Sequence, residues 1–297
     1  MVVANRVATP LAGHGVERQQ IMAQFALGWT RDLPDFRDFG TTDDKVIKAF
    51  AGSRTPGAAS SDLPASVDLR RWCSPIENQG NIGSCTAHAG TAMLEYYERK
   101  GHGSHVEASR LFLYKVTRRL LGWTGDTGAY LRTTMKAMAL FGVPPEDSFP
   151  YNTANYEQEP EAYHYALADN FESLVYYRHD AAGIAPEEVL RRVKAFLAAG
   201  RPSMFGFTVY NYGNDAGEFE FPGDRARSVG GHAVLAVGYD DSRRIGDHVG
   251  ALRIRNSWGT SWGEAGYGWL PYEYVRRGLA VDFWSLTRAE YTKLDKF

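Results

Sequence analysis

Asn78-Gln79-Gly80-Asn81-Ile82-Gly83-Ser84-Cys85-Thr86-Ala87-His88 puts a thiol at the start of a helix-like run, six residues after a glutamine. From Gly83 to about Lys100 the apolar residues Ala87, Met93, Leu94 and Tyr97 recur at helical positions, and Gly101 ends the run. A cysteine in the first turn of a helix feels the positive end of the helix dipole, which favours its thiolate. Taken alone, such a cysteine reads as a small buried apolar residue. Its company downstream changes the reading.

Gly230-Gly231-His232-Ala233 opens an apolar strand, and the glycines before the histidine let another backbone approach closely. Arg255-Asn256-Ser257-Trp258-Gly259 ends the next strand. An imidazole from the first segment can pair with the thiolate. The side-chain carbonyl of Asn256 can accept from His232 and set its tautomer, with Trp258 shielding that bond from water. The side-chain amide of Gln79 and the Cys85 backbone N–H can together form an oxyanion hole. Singly these residues read as a core histidine, a strand-end amide and a surface glutamine. Jointly they supply nucleophile, acid/base, orienting group and electrophilic donor for acyl transfer.

The totals set the frame. The chain has 297 residues, 44% hydrophobic and 23% charged, with net charge −2, which fits a soluble globular protein of one large domain or two lobes. That charge gives no reason to expect nucleic acid or an anionic membrane as partner. No run approaches the roughly 18 apolar residues that span a bilayer. Residues 1–20 lack the apolar core of a signal peptide, so a cytoplasmic location is expected by default, with export by another route left open. With Cys85 used in chemistry, Cys73 has no disulfide partner, which fits a reducing compartment. No cofactor is expected. Cys85-x-x-His88 with Cys73 and His232 can be written as a zinc site, but the second pair lacks ligand spacing and the Asn–Trp segment is then unexplained. The glycine-rich run 259–268 lacks the strand–loop–helix context of a phosphate loop.

Residues 1–62 differ from the rest. Val16 to Trp29 predicts a short amphipathic helix, with Ile21, Phe25 and Trp29 at four-residue steps, broken by Asp32-Leu33-Pro34-Asp35. Ala51 to Ser61 reads as a linker. Further helices are predicted over Leu111 to Leu121, Tyr130 to Phe141 and Pro186 to Ala199. Strands follow over Ser203 to Tyr210, Ala233 to Tyr239, Ala251 to Asn256, Tyr267 to Pro271 and Leu279 to Leu286. Helices first and strands later predict an α+β body.

From Leu63 onward the chain resembles the papain family of cysteine peptidases, and the xylellain-like bacterial members in particular. Leu63-Pro64-Ala65-Ser66-Val67-Asp68-Leu69-Arg70 is similar to the family's mature N-terminus. The Gln79-to-Cys85 spacing, Gly231-His232-Ala233, and Asn256-Ser257-Trp258-Gly259-Thr260-Ser261-Trp262-Gly263-Glu264-Ala265-Gly266-Tyr267 are similar to its site segments. The resemblance implies a two-lobe fold: a helical lobe over 63–170, a β-barrel-like lobe over 171–297, and a cleft between them for an extended peptide. It implies Cys85 as nucleophile, His232 as acid/base, Asn256 as orienting residue and Gln79 as oxyanion donor. Gly128 and Ala129 would hydrogen-bond substrate backbone. Tyr130, Leu131, Gly206 and Ala233 would line the pocket for the second residue before the scissile bond, with Trp258 and Trp262 nearby. None of these is charged, so an apolar or aromatic preference is expected there.

Three departures stand out. Ile82 and Thr86 occupy positions where the family has a cysteine and a bulky aromatic. Asn256 lies farther beyond Cys85 than usual, the excess falling in the polar stretch 240–250. The resemblance also makes residues 1–62 a candidate prosegment, lying in the cleft as an intramolecular inhibitor. An active peptidase, most simply an endopeptidase, is the expected function. The alternative is the same fold used as a peptide-binding or acyl-transfer module silenced by residues 1–62; four intact catalytic positions weigh against a dead binder.

Overall fold

The computed structural model describes residues 26–49, 63–169, 171–172, 175–211, 217–287 and 290–291. The predicted linker, and the predicted N-terminal helix up to residue 25, lie outside these residues. Helix α1 spans Asp44–Ala49, α2 Cys85–His102, α3 Arg110–Leu121, α4 Leu131–Phe141, α5 Ala162–Ala168, α6 Pro186–Ala198 and α7 Tyr272–Arg276. Strand β1 spans Ser66–Asp68, β2 Phe171–Glu172, β3 Tyr176–Arg178, β4 Ser203–Tyr210, β5 Ser228–Ile245, β6 His248–Arg255, β7 Tyr267–Pro271, β8 Ala280–Leu286 and β9 Glu290–Tyr291.

Helix α2 is the central element. Its side chains from Cys85 to Tyr96 are buried, so it is core rather than surface. Its start follows from local chemistry. Ser84 precedes it but does not cap it through its hydroxyl, which instead lies 2.6 Å from the Tyr151 hydroxyl. At the other end Gly103 adopts the left-handed conformation, and its N–H reaches the Arg99 carbonyl. Helix α3 is capped conventionally: the Ser109 hydroxyl accepts from the Phe112 N–H at 3.2 Å. Helix α6 starts on Pro186 with Glu187 and Glu188 in its first turn, favourable to the dipole.

Seven strands form an antiparallel sheet in the order β3-β8-β4-β5-β6-β7, with β1 added alongside β5. The sheet is open: the expected barrel-like lobe does not close. Strand β5 runs eighteen residues, far beyond the predicted 233–239, because Ala236–Ile245 keep pairing with β6 through two register shifts. The stretch 240–250 is thus a continuation of that ladder around a turn at Gly246 and Asp247. Helix α2 packs on β5, and one continuous core unites helices and sheet.

One expectation fails at its end. Residues 26–29 are not helical. Trp29 pairs with Ala129 in a parallel bridge, and its N–H donates to the Gly231 carbonyl at 3.0 Å. Over residues 26–29 the helical expectation gives way to backbone hydrogen bonds with Gly231 and Ala129 of the body. We refer to residues 26–49 as the strap. It passes Gly40 alongside Arg178 and ends in α1, where Val46 is buried against Tyr177 and Phe196.

Candidate active site

Cys85 is the first residue of α2 and is completely buried. Its sulfur meets the backbone groups of Ala233, Gly28, Thr86 and its own N–H. These favour the thiolate, but burial outweighs them and pushes the thiol up to about 11. His232 lies in β5 one residue before Ala233, directly opposite Phe207 of β4. Its Nε2 donates to the Asn256 side-chain oxygen at 2.7 Å, which leaves Nδ1 as the lone-pair nitrogen of the neutral ring. Nδ1 is buried and has no hydrogen-bond partner among the described residues. Burial holds the imidazole down to about 4, although its bond to Asn256 works the other way. Between those two values the covered pair is thiol and neutral imidazole. The ion pair anticipated from the residue types is therefore not the favoured state while the site is sealed from water.

Two neighbours hold His232 in place. The Trp258 ring stacks on it, centroids 4.6 Å apart and planes 24° apart, and Trp262 meets Trp258 edge-on at 5.5 Å. The Asn256 oxygen also accepts from the Ser257 N–H at 2.8 Å, so the amide cannot swing away without losing two bonds.

Gln79 is also fully buried. Its Oε1 accepts from the Ser257 hydroxyl at 2.6 Å, and its N–H donates to the Ser257 carbonyl at 2.8 Å. The other amide atom faces two carbonyl oxygens, which only accept, and is therefore Nε2. That nitrogen donates to the Ala26 carbonyl at 2.8 Å and to the Ile82 carbonyl at 3.1 Å. A peptide carbonyl of the strap thus rests on the side-chain donor assigned to the oxyanion.

The next strap residues follow the cleft. The Ala129 N–H donates to the Gly28 carbonyl at 2.8 Å, and the Thr30 N–H to the Ala129 carbonyl at 3.1 Å. At Gly28 the two backbones nearly touch: a Cβ there would stand 1.8 Å from the Gly83 carbonyl oxygen. Only glycine lets the strap pass this close to the segment before Cys85. The Trp29 indole lies against Gly206, and its Nε1 donates to Asp282 Oδ2 at 3.1 Å. Ala233 and Leu131 are buried, and Tyr130 packs on Trp123 at 5.1 Å. Asp282 was not among the residues singled out from the sequence. Its signal there is faint, an acidic residue inside an otherwise apolar β8.

The departures are accommodated by packing. Cys73 and Cys85 are both free and buried, and Ile82 fills its place as a buried apolar side chain. His88 places Nδ1 3.1 Å from the Ser84 carbonyl and sits edge-on to Tyr151 at 4.9 Å. Among the described residues no three metal-ligating side chains cluster, and no helix is long and apolar enough to cross a membrane.

The model of the papain family cysteine protease matches residues 63–279. The chain belongs to the papain family. It is 33% identical over 271 residues to an uncharacterized peptidase C1-like protein of Acanthamoeba polyphaga mimivirus, covering 86% of this chain and 85% of that one. It is 28% identical over 251 residues to cathepsin K of Gallus gallus, covering 76% and 68%. Among solved structures, xylellain, a cysteine protease from Xylella fastidiosa, superposes with a TM-score of 0.71 at 33% identity, covering 89% of this chain and 96% of that one. The two-lobe α+β fold expected from the sequence is therefore the fold of the family, with an open sheet in place of a barrel.

Proposed function

We propose that this papain-family cysteine peptidase is an endopeptidase that hydrolyses peptide bonds through Cys85 and His232, in a covered state maintained by its own N-terminal residues. Displacement of the strap readmits water and a substrate carbonyl. Solvation lowers the cost of charge, and the proton moves from Cys85 to His232 Nδ1. The thiolate attacks the carbonyl carbon. The oxygen, becoming negative, is held by Gln79 Nε2 and the Cys85 N–H. His232 gives its proton to the departing amine, leaving an acyl-enzyme on sulfur. Water, deprotonated by the same imidazole, then releases the acid and restores the thiol–imidazole pair. Asn256, accepting from Nε2, leaves Nδ1 as the nitrogen available to take the sulfur's proton.

The observation that carries this reading is the strap carbonyl of Ala26 on Gln79 Nε2. The site binds a peptide carbonyl with the donor that the reaction requires. The same observation supports residues 1–62 as a prosegment and 63–297 as the peptidase body.

The test uses the full chain and a chain lacking residues 1–40. Both are treated with a thiol-reactive epoxide, weighed, and assayed on fluorogenic peptides. The truncated chain is expected to gain one inhibitor mass faster and to cleave substrate faster, with both effects lost in Cys85→Ala. Equal rates in the two chains would overturn the covering role. Alkylation of Cys85 without hydrolysis would overturn the peptidase reading.

A further inference from the structure

Behind the catalytic pair lies a small cavity between α2, the first part of β5 and the end of β6. It offers about 10 Å³ to the centre of a water molecule, room for one. His88, Thr91 and Glu95 of α2 line it, together with Glu77, Arg255 and Asn256. Two buried polar atoms of this wall, His88 Nε2 and Asn256 Nδ2, have no hydrogen-bond partner among the described residues. His88 is 4% exposed and Asn256 3%. One of the two atoms is a donor and the other an acceptor. The Ser257 N–H only donates, so the amide atom 2.8 Å from it is Asn256 Oδ1, and the remaining one is an NH₂. The Ser84 carbonyl only accepts, so His88 Nδ1, 3.1 Å from it, carries the hydrogen and Nε2 the lone pair. Burial, with Arg110 and Arg255 near, holds the ring down to about 3 and therefore neutral near pH 7.

The other side of His88 leads to Gln79. The Tyr151 hydroxyl donates to the Gln79 carbonyl at 2.8 Å. With its hydrogen engaged there, it accepts from the Ser84 hydroxyl at 2.6 Å. The Ser84 oxygen, 3.3 Å from His88 Nδ1, is then left to accept from that nitrogen. Donation thus runs one way, from His88 through Ser84 and Tyr151 to Gln79, and fixes the same tautomer a second time. On the cavity side, a group that donates to His88 Nε2 and accepts from Asn256 Nδ2 extends the chain to the second catalytic amide. A metal cation cannot accept a hydrogen bond, whereas a water both donates and accepts. The Thr91 hydroxyl donates to the Ala87 carbonyl at 3.1 Å, which leaves its lone pairs for the water's second hydrogen.

From this we infer that His88 is a positioning residue: through one buried water it holds the Asn256 carboxamide with its oxygen toward His232. The inference rests on the proposed roles of His232 and Asn256. Without the water the NH₂ end has no partner inside the protein, and turning the amide over costs less. A turned amide sets a donor against His232 Nε2. That favours the tautomer with its hydrogen on Nδ1, which cannot take a proton from the thiol. His88 touches no reacting atom and acts through Asn256.

The experiment follows alkylation of Cys85 by iodoacetate across pH, in the full chain opened by Trp29→Ala. The product is read by mass, so hydrolysis is not required. Iodoacetate is an anion, and an imidazolium beside the thiolate speeds its attack, so the fall in rate at high pH reports loss of the His232 proton. Asn256 Oδ1 favours the imidazolium by accepting from it, so losing that orientation moves the fall to lower pH. His88→Phe keeps a ring edge-on to Tyr151 but removes both nitrogens, and is expected to move the fall down by about one pH unit. His88→Gln puts an oxygen near the place of Nε2 and is expected to move it by less than about a third of that. In an Asn256→Ala background His88→Phe should add no further shift. Equal shifts in the two His88 variants, or the same His88→Phe shift in both backgrounds, would overturn the inference. A second measurement needs no variant. A crystal structure of the full chain should show one ordered water within hydrogen-bond distance of both His88 Nε2 and Asn256 Nδ2, and a dry cavity would overturn the inference. The water and the His88→Phe shift in a chain that hydrolyses no peptide would support it while overturning the peptidase reading.

Discussion

The catalytic floor and the strap that covers it are held by different forces. The floor is bound by short bonds within the body: His232 to Asn256, Gln79 to Ser257, and Trp258 stacked over the imidazole. None of these uses a strap residue. The strap is held by four backbone hydrogen bonds, at Gly28, Trp29, Thr30 and Phe39, by the carbonyls of Ala26, Asp32 and Leu33, by one indole and the buried Val46, and by the pairs of Asp32 and Asp38 with Arg132 and Arg178. Most of these anchors exchange well for water once the segment lifts. On the proposed reading, then, the site is complete without its cover, and lifting the cover does not dismantle it.

Five experiments break or sharpen that contrast. Cys85→Ala should abolish hydrolysis and inhibitor uptake, a loss on the order of 10⁴-fold or more, while leaving the fold intact by circular dichroism. Survival of hydrolysis would remove the floor from the comparison. Gln79→Ala should act with opposite signs in two assays. In a Trp29→Ala chain, kcat should fall by about 10²–10³ through loss of an oxyanion donor. In the full chain, thiol labelling by iodoacetamide should quicken, because Ala26 loses its anchor.

The pH dependence of labelling separates covered from open. Burial raises the Cys85 thiol to about 11 and lowers His232 to about 4. Each shift disfavours the charged form, so in the full chain the labelling rate should climb with pH up to the region of 11. Removing the cover relieves desolvation of both groups and lets an ion pair form, so the rise should move down by at least about two pH units. Superimposable profiles would mean that the strap does not control the thiol.

Asp38→Asn removes a carboxylate that is only 5% exposed and that faces both Arg132 and Arg178. It should speed labelling of the full chain by about ten- to a hundredfold, because it leaves buried guanidinium charge short of a partner. Kinetics on an already opened chain should be unchanged. At the bottom of the scale, Arg119→Ala breaks a pair whose side chains are 61% and 58% exposed. It should cost under about 0.5 kcal/mol in urea denaturation and leave labelling unaltered.

Much of the molecule was legible in the residue pattern. Strands 203–210 and 267–271 are found at the predicted residues, and helices α2, α3, α4 and α6 lie within about two residues of expectation, because their periodicity, glycine stops and proline starts are local signals. The extent of β5 was not legible, since pairing with β6 rather than apolar composition carries it to Ile245. Nor was the conformation of residues 26–29. Their spacing satisfies a helix, but in isolation no sequence pattern reports that Gly231 and Ala129 offer acceptors and donors at matching distances.

The order of residues along the chain determined the chemistry we propose: which side chain is the thiol, which the imidazole, which amides serve them, and that a helix start and two strands would present them. Those are properties of residue type and short-range spacing. The tertiary structure alone decided the state in which that chemistry rests. Contacts between residues about fifty to two hundred and fifty positions apart put Ala26 on Gln79, Trp29 on Asp282 and Asp38 on Arg132 and Arg178. They seal Cys85 and His232 from water. Because the charge on a thiol or an imidazole depends on solvent as much as on neighbours, that seal holds both groups neutral.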